Sequence, residues 1–203
     1  MFVVTADQRH SRRTGDLVPA ALAALNTRPR VPGLRRAFER TAGDEIQGVC
    51  DDAAAVTELV LRLVRLGTWR VGIGVGAIDL PLPRSTRAGS GPAFVSARAA
   101  VDAARRSPQQ LAVVGDRDYG QADPVRDAES ALWLTSSVLR RRTTEGWEVV
   151  DLIAAGRSQV QAARTLGVSE SAVSQRVARA GLAEERRGRE LCELHLRLAD
   201  ADG

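Results

Sequence analysis

The stretch Arg36-Ala-Phe-Glu-Arg-Thr-Ala-Gly-Asp-Glu-Ile-Gln-Gly-Val-Cys50 decides the fold of this 203-residue chain. Its two halves, 36–40 and 45–50, read as strands around the turn Ala42-Gly43-Asp44, because a Gly-Asp pair between apolar runs is a hairpin signal. Upstream, the β-branched run Phe2–Ala6 reads as a strand. A polar loop, Asp7–Asp16, and a helix over Leu17–Leu25 follow it. Downstream, 51–66 reads as a helix that Asp51 or Asp52 can cap, with Val56, Leu59, Val60, Leu63 and Val64 on its apolar face. Trp69–Ile78 is a strand punctuated by glycines. Leu80–Pro92 is a Pro-, Gly-, Ser- and Arg-rich loop, Ala93–Arg106 a helix and Leu111–Val114 a further strand.

The order βαββαβ, then helix and strand, predicts an α+β fold of ferredoxin-like type: an antiparallel sheet with helices on one face. Pro124 fits the first position of a helix capped by Asp123, running to about Thr143. Glu148–Leu182 reads as helical throughout, and Glu184–Asp200 as a last helix. The domain reading is therefore 1–120 for the sheet domain, 121–145 for a linker helix and 146–203 for an all-α domain.

Composition sets the limits. Apolar residues are 44% and aromatic ones 3%, so the core must be built from Ala, Val and Leu. Net charge is 29 − 25 = +4. Every cation other than His is Arg, so the high isoelectric point says less about nucleic acid than it first suggests. Cys50 and Cys192 have no CxxC partner, which argues against a disulfide framework or a zinc site and fits a reducing compartment. The N-terminus is too short and polar for a signal peptide, and no run of about 18 apolar residues exists. A cytoplasmic protein with no membrane partner is expected.

The segment from Gly156 to Leu182 carries the sharpest functional pattern. Ala163 is small where two helices would cross, Gly167 permits a sharp turn and Ser169 can cap the second helix. Val173 and Val177 are placed to bury that helix against Leu152, Val160 and Leu166. This is a helix-turn-helix pattern, whose second helix enters the major groove of double-stranded DNA. The expected DNA-contacting residues are Gln159, Ser169, Glu170, Ser171, Ser174, Gln175, Arg176 and Arg179, with Arg157 and Arg164 as further phosphate contacts. One such unit has a small electrostatic footprint, so a homodimer reading two half-sites is expected. Leu191, Leu194 and Leu198 can supply the seam or can cover the small domain.

The carboxylates mark a second site. Asp7 ends the first strand and Asp44 tips the hairpin, and these places are neighbours in such a sheet. Paired acids there can hold a divalent metal against nucleotide phosphates; each can equally be a turn or cap residue.

Arg40-Thr-Ala-Gly-Asp-Glu-Ile-Gln-Gly-Val-Cys50 resembles the second metal-binding hairpin of class III nucleotide cyclases. Ala42-Gly-Asp-Glu-Ile46 is also similar to the GGDEF signature of diguanylate cyclases. Arg70-Val-Gly-Ile-Gly-Val-Gly-Ala-Ile78 resembles the following cyclase strand, and the helix start near Gly91-Pro-Ala-Phe is similar to theirs. With its trailing helix-turn-helix, the chain resembles the SatD family over residues 2–182.

The resemblance implies that Asp7 and Asp44 bind metal, as Mg²⁺ with a nucleotide, and that the Asp7–Arg13 loop cradles phosphate. Arg12, Arg13 and Arg98 then become nucleotide contacts, with Arg84 and Arg87 as further candidates. The departures are as informative. The Asn and Arg that stabilise the cyclase transition state are replaced by Ser96 and Ala100, although a shifted register offers Arg98. The base-selecting Lys gives way to Glu39 and Arg40. Each lost donor typically costs about 10²–10³ in rate. No catalytic residue is therefore assigned. The reading is a DNA-binding regulator whose cyclase-like domain senses a nucleotide or cyclic nucleotide, or serves as a dimerisation module. The alternative is an active metal-dependent cyclase or nucleotidyltransferase with a DNA-binding domain attached.

Overall fold

The computed structural model describes residues 1–27, 30–115 and 123–201. The α+β chain forms a five-strand mixed sheet with helices around it and a long C-terminal helix. The first half holds β1 (Phe2–Gln8), α1 (Ser11–Thr14), α2 (Val18–Leu25), β2 (Leu34–Ala42), β3 (Glu45–Cys50) and α3 (Ala53–Leu66). Next come β4 (Trp69–Val75), α4 (Pro92–Ala104), β5 (Leu111–Gly115) and α5 (Pro124–Arg140). The chain closes with α6 (Thr144–Ala154), α7 (Gln159–Leu166), α8 (Glu170–Arg179) and α9 (Leu182–Asp200).

The strand order is β2-β3-β1-β4-β5. Strands β2, β3, β1 and β4 pair antiparallel, with Asp7 opposite Glu45 on one side and Arg70 on the other. Two expectations are corrected here. Strand β5 runs parallel to β4, so the sheet is not wholly antiparallel. Nor do the helices keep to one face.

Alternation along β1 separates the two faces. Phe2, Val4 and Ala6 join α2, α3, α5 and α9 in one continuous core. Val3 packs instead with Val49 and with Ala93 and Ala97 of α4. Helix α4 reaches that second face because Gly72 and Gly74 present no side chain to it. A Cβ on Gly72 would lie 2.2 Å from the Val101 amide nitrogen, and one on Gly74 2.1 Å from the Ala93 carbonyl.

The caps explain the helix boundaries. Asp52 accepts from the Ala55 amide at the start of α3, and Asp123 accepts from Val125 and Arg126 at the start of α5. Helix α5 stops at Arg140 rather than Thr143, because Thr143 caps α6 by accepting from the Gly146 amide. The helical run read over 148–182 is broken into three helices, with turns after Ala154 and at Gly167–Ser169. Segments assigned by sequence to a linker and to a C-terminal domain both enter the main core, through Ala128 and Leu132 of α5 and Cys192 and Leu196 of α9. The boundary read at 120/121 lies outside the described residues. Among those residues, no helix is long and apolar enough to cross a membrane.

Candidate functional site

Helices α6, α7 and α8 close around a small core of Val149, Val150, Ala162, Ala163, Val173 and Ala180. Leu152, Leu166 and Val177 pack against it, whereas Val160, expected to do so, is exposed. Ser158 and Gln161 form a reciprocal capping box at the start of α7. Gly167, at φ 66°, makes the left-handed turn that a side chain would strain. Ser169 accepts from the Ala172 amide and starts α8, and its hydroxyl also meets that of Ser171 at 2.9 Å.

Ser171, Ser174 and Gln175 lie on one face of α8, at the spacing that stacks residues along a helix, and all three are exposed. Glu170 and Gln159 are exposed at the first positions of α8 and α7. Arg157 and Arg164 are exposed as well. Arg176 and Arg179 turn towards the start of α6 instead. With Arg141, Thr143 and Glu145 they line a cleft of about 290 Å³.

The three-helix unit is tied to the sheet layer through charge and through the packing of Trp147 against Leu61, Val64 and Leu139. Arg142, fully buried, donates to the Ala180 carbonyl at 2.9 Å and to Glu185 at 2.8 Å. Glu185 also meets Arg189, which reaches Glu58 of α3 at 2.7 Å. Arg65 of α3 grips Asp151 of α6 with two 2.7 Å bonds. The guanidinium groups of Arg65 and Arg142 stack over the Trp147 ring at 4.1 and 4.3 Å.

The second site is an open cleft of about 650 Å³ at the end of the sheet, lined by Asp7, His10, Ser11, Arg12, Arg13, Asp44, Arg70 and Arg105, among others. It brings together four of the five nucleotide-contact residues expected from sequence. The fifth, Arg98, stands apart: its guanidinium is held by Glu45 at 2.8 Å and Asp102 at 3.4 Å. Arg84 and Arg87 also lie outside the cleft, in the loop that Glu39 pins by accepting from Ser85, Thr86 and the Arg87 amide.

Sequence reading missed the residue that builds the cleft wall. Gln8, buried at 2% exposure, donates to Thr14 Oγ1 and the Gly15 carbonyl and accepts from the Leu17 amide. It holds the 10–15 turn, including His10 at φ 57°. A non-glycine residue is uncommon in that region, and His is among the types that enter it most readily.

Arg70 and Arg105 were missed too. Asp7 binds Arg70 at 2.9 Å and lies 3.9 Å from Arg105. Burial pushes Asp7 above its ordinary 3.8, Asp44 adds to that, and Arg70 and Arg105 pull it back. Among the described residues, no group of three or more His, Cys, Asp or Glu is placed to hold a metal ion. The carboxylate that the cyclase resemblance assigns to a metal is engaged by an arginine, so the pair Asp7 and Asp44 does not fit a dedicated metal centre. Cys50 and Cys192 are buried free thiols, pushed up by burial to about 12 and about 11. No protein-family model, no curated protein and no solved structure matches the chain.

Proposed function

We propose that this chain is a DNA-binding transcription regulator, with α8 as the recognition helix of a helix-turn-helix and the sheet-end cleft as a nucleotide-sensing site. The observation that carries the reading is the exposed face Ser171, Ser174 and Gln175 on a helix whose opposite side is buried at Val173. Those side chains suit hydrogen bonding to base edges, and Arg157 and Arg164 suit phosphates. The antiparallel order β2-β3-β1-β4 supports a ferredoxin-like, cyclase-related sheet domain.

Sensing is favoured over catalysis because the cleft keeps cations for phosphate while Asp7 is committed to Arg70. A second copy of the chain is the proposed partner for the stripe Leu191, Leu194 and Leu198, exposed at 50%, 44% and 49%. It would supply the second half-site contact. The test is selection of bound duplexes from a random pool, followed by titration of the enriched sequence. Recovery of a two-half-site motif is expected; no enrichment would overturn the reading.

A further inference from the structure

The sheet-end cleft carries more positive charge than its acids consume. Arg12, Arg13, Arg70 and Arg105 face Asp7 and Asp44, a local balance of 4 − 2 = +2. Among the described residues, Arg12 and Arg13 have no acidic partner. Arg70 gives one nitrogen to Asp7, and its buried Nε has no acceptor. Arg105 sits 3.7 Å from Asp102 and 3.9 Å from Asp7, too far for strong bonds to either.

We propose that this cleft binds the phosphate chain of its nucleotide directly through arginines, with no divalent metal between protein and ligand. The inference rests on the nucleotide-sensing reading above and deepens it. A divalent cation would add charge to a site already in positive excess and would have to displace Arg70 from Asp7. Planar guanidinium forks match phosphate oxygens two at a time and make strong, short charge-assisted bonds. Phosphate arriving here meets donors already waiting, and Arg70 can exchange a carboxylate for it without leaving the cleft.

Titration of the full chain with GTP and ATP, in EDTA and in excess MgCl₂, separates the possibilities. Binding in EDTA is expected to be at least as tight as in Mg²⁺, because Mg²⁺ masks the phosphate charge the arginines read. Arg70→Met should weaken binding about tenfold or more, as expected for losing a charged hydrogen bond. Asp7→Asn should keep or tighten binding, since it releases Arg70, whereas a metal-bridged site would lose it. Nucleotide binding that needs Mg²⁺ would overturn this inference and leave the sensing reading standing. Absence of nucleotide binding in both buffers would overturn the sensing reading and this inference with it. Should Asp7→Asn fail to fold, as judged by its thermal melt, the EDTA comparison on the natural sequence still decides.

Discussion

In the sheet layer, strands β1, β3 and β4 and helices α2, α3, α5 and α9 share one continuous apolar interior. In the α6–α8 unit, a handful of Val and Ala side chains do the same task. The first interior stabilises by removing apolar area from water, at roughly 25 cal/mol per Å². The second is too small for that alone and depends on three side-chain caps and on charged docking through Arg142, Glu185 and Trp147. The small unit meets the sheet layer through polar contacts and through one apolar contact, Trp147 against Leu61, Val64 and Leu139. It also leaves α8 with its polar face free.

The docking contact offers the strongest way to break this contrast. Arg142→Ala removes the bonds to the Ala180 carbonyl and to Glu185, which keeps Arg189, and losing a hydrogen bond to a charged group typically costs about 1.5–3 kcal/mol. Chemical denaturation should show that loss, with α6–α8 unfolding ahead of the sheet layer. A change below about 1 kcal/mol, within the range of exposed pairs, would place the docking energy elsewhere. Gly72→Ala probes the other region. Its Cβ would meet the Val101 backbone, so α4 must move, at about 1–3 kcal/mol for overpacking. An unchanged midpoint would mean that α4 yields to the added methyl group without cost, against the close packing expected of it.

Smaller effects sharpen the comparison. Ser169→Ala removes the cap of α8 and should cost about 1 kcal/mol, read as faster amide exchange confined to α7 and α8. Uniform loss of protection across the sheet would show that the two regions are not separable in this way. Glu129 on α5 gives a pH signature of the sheet layer. Burial holds it above its ordinary 4.5; the Val113 amide, 2.9 Å away, lowers it, and Asp123 raises it. A raised carboxyl binds its proton more tightly in the folded chain. Its contribution is therefore fully present below 4.5 and is lost as pH rises through the folded value. Glu129→Gln keeps an acceptor for Val113 but cannot ionise, so its stability should fall less than that of the natural chain across that window. Parallel pH profiles would contradict this.

Local signals in the sequence were strong where one residue type has one use. The Gly43-Asp44 turn, the Asp52 and Asp123 caps, Pro124 at a helix start and the Gly167–Ser169 turn all stand where their chemistry requires. What escaped depends on contacts distant in the chain. No periodicity says on which face of a sheet a crossover helix lies, although Gly72 and Gly74, two apart in a strand, were the available clue to α4. Periodicity on α9 picked out Leu191, Leu194 and Leu198, yet the buried face is Cys192, Leu196 and Ala199. For the cleft, Asp7 and Asp44 were readable because they end local elements. Arg70 and Arg105 enter it only through strand register and the packing of α4, and Gln8 only through its buried bonds to the 10–15 turn.

The most direct measurement is the affinity of the natural chain and of a Ser171→Ala, Gln175→Ala double variant for the duplex enriched from a random pool. Both residues are exposed and carry no core contacts, so the variant should melt with the natural chain, within about 0.5 kcal/mol. The proposal that α8 reads bases predicts that the variant loses about 1–3 kcal/mol of discrimination per lost base contact while keeping non-specific, salt-sensitive binding. Equal affinity and equal discrimination in the two proteins would contradict it.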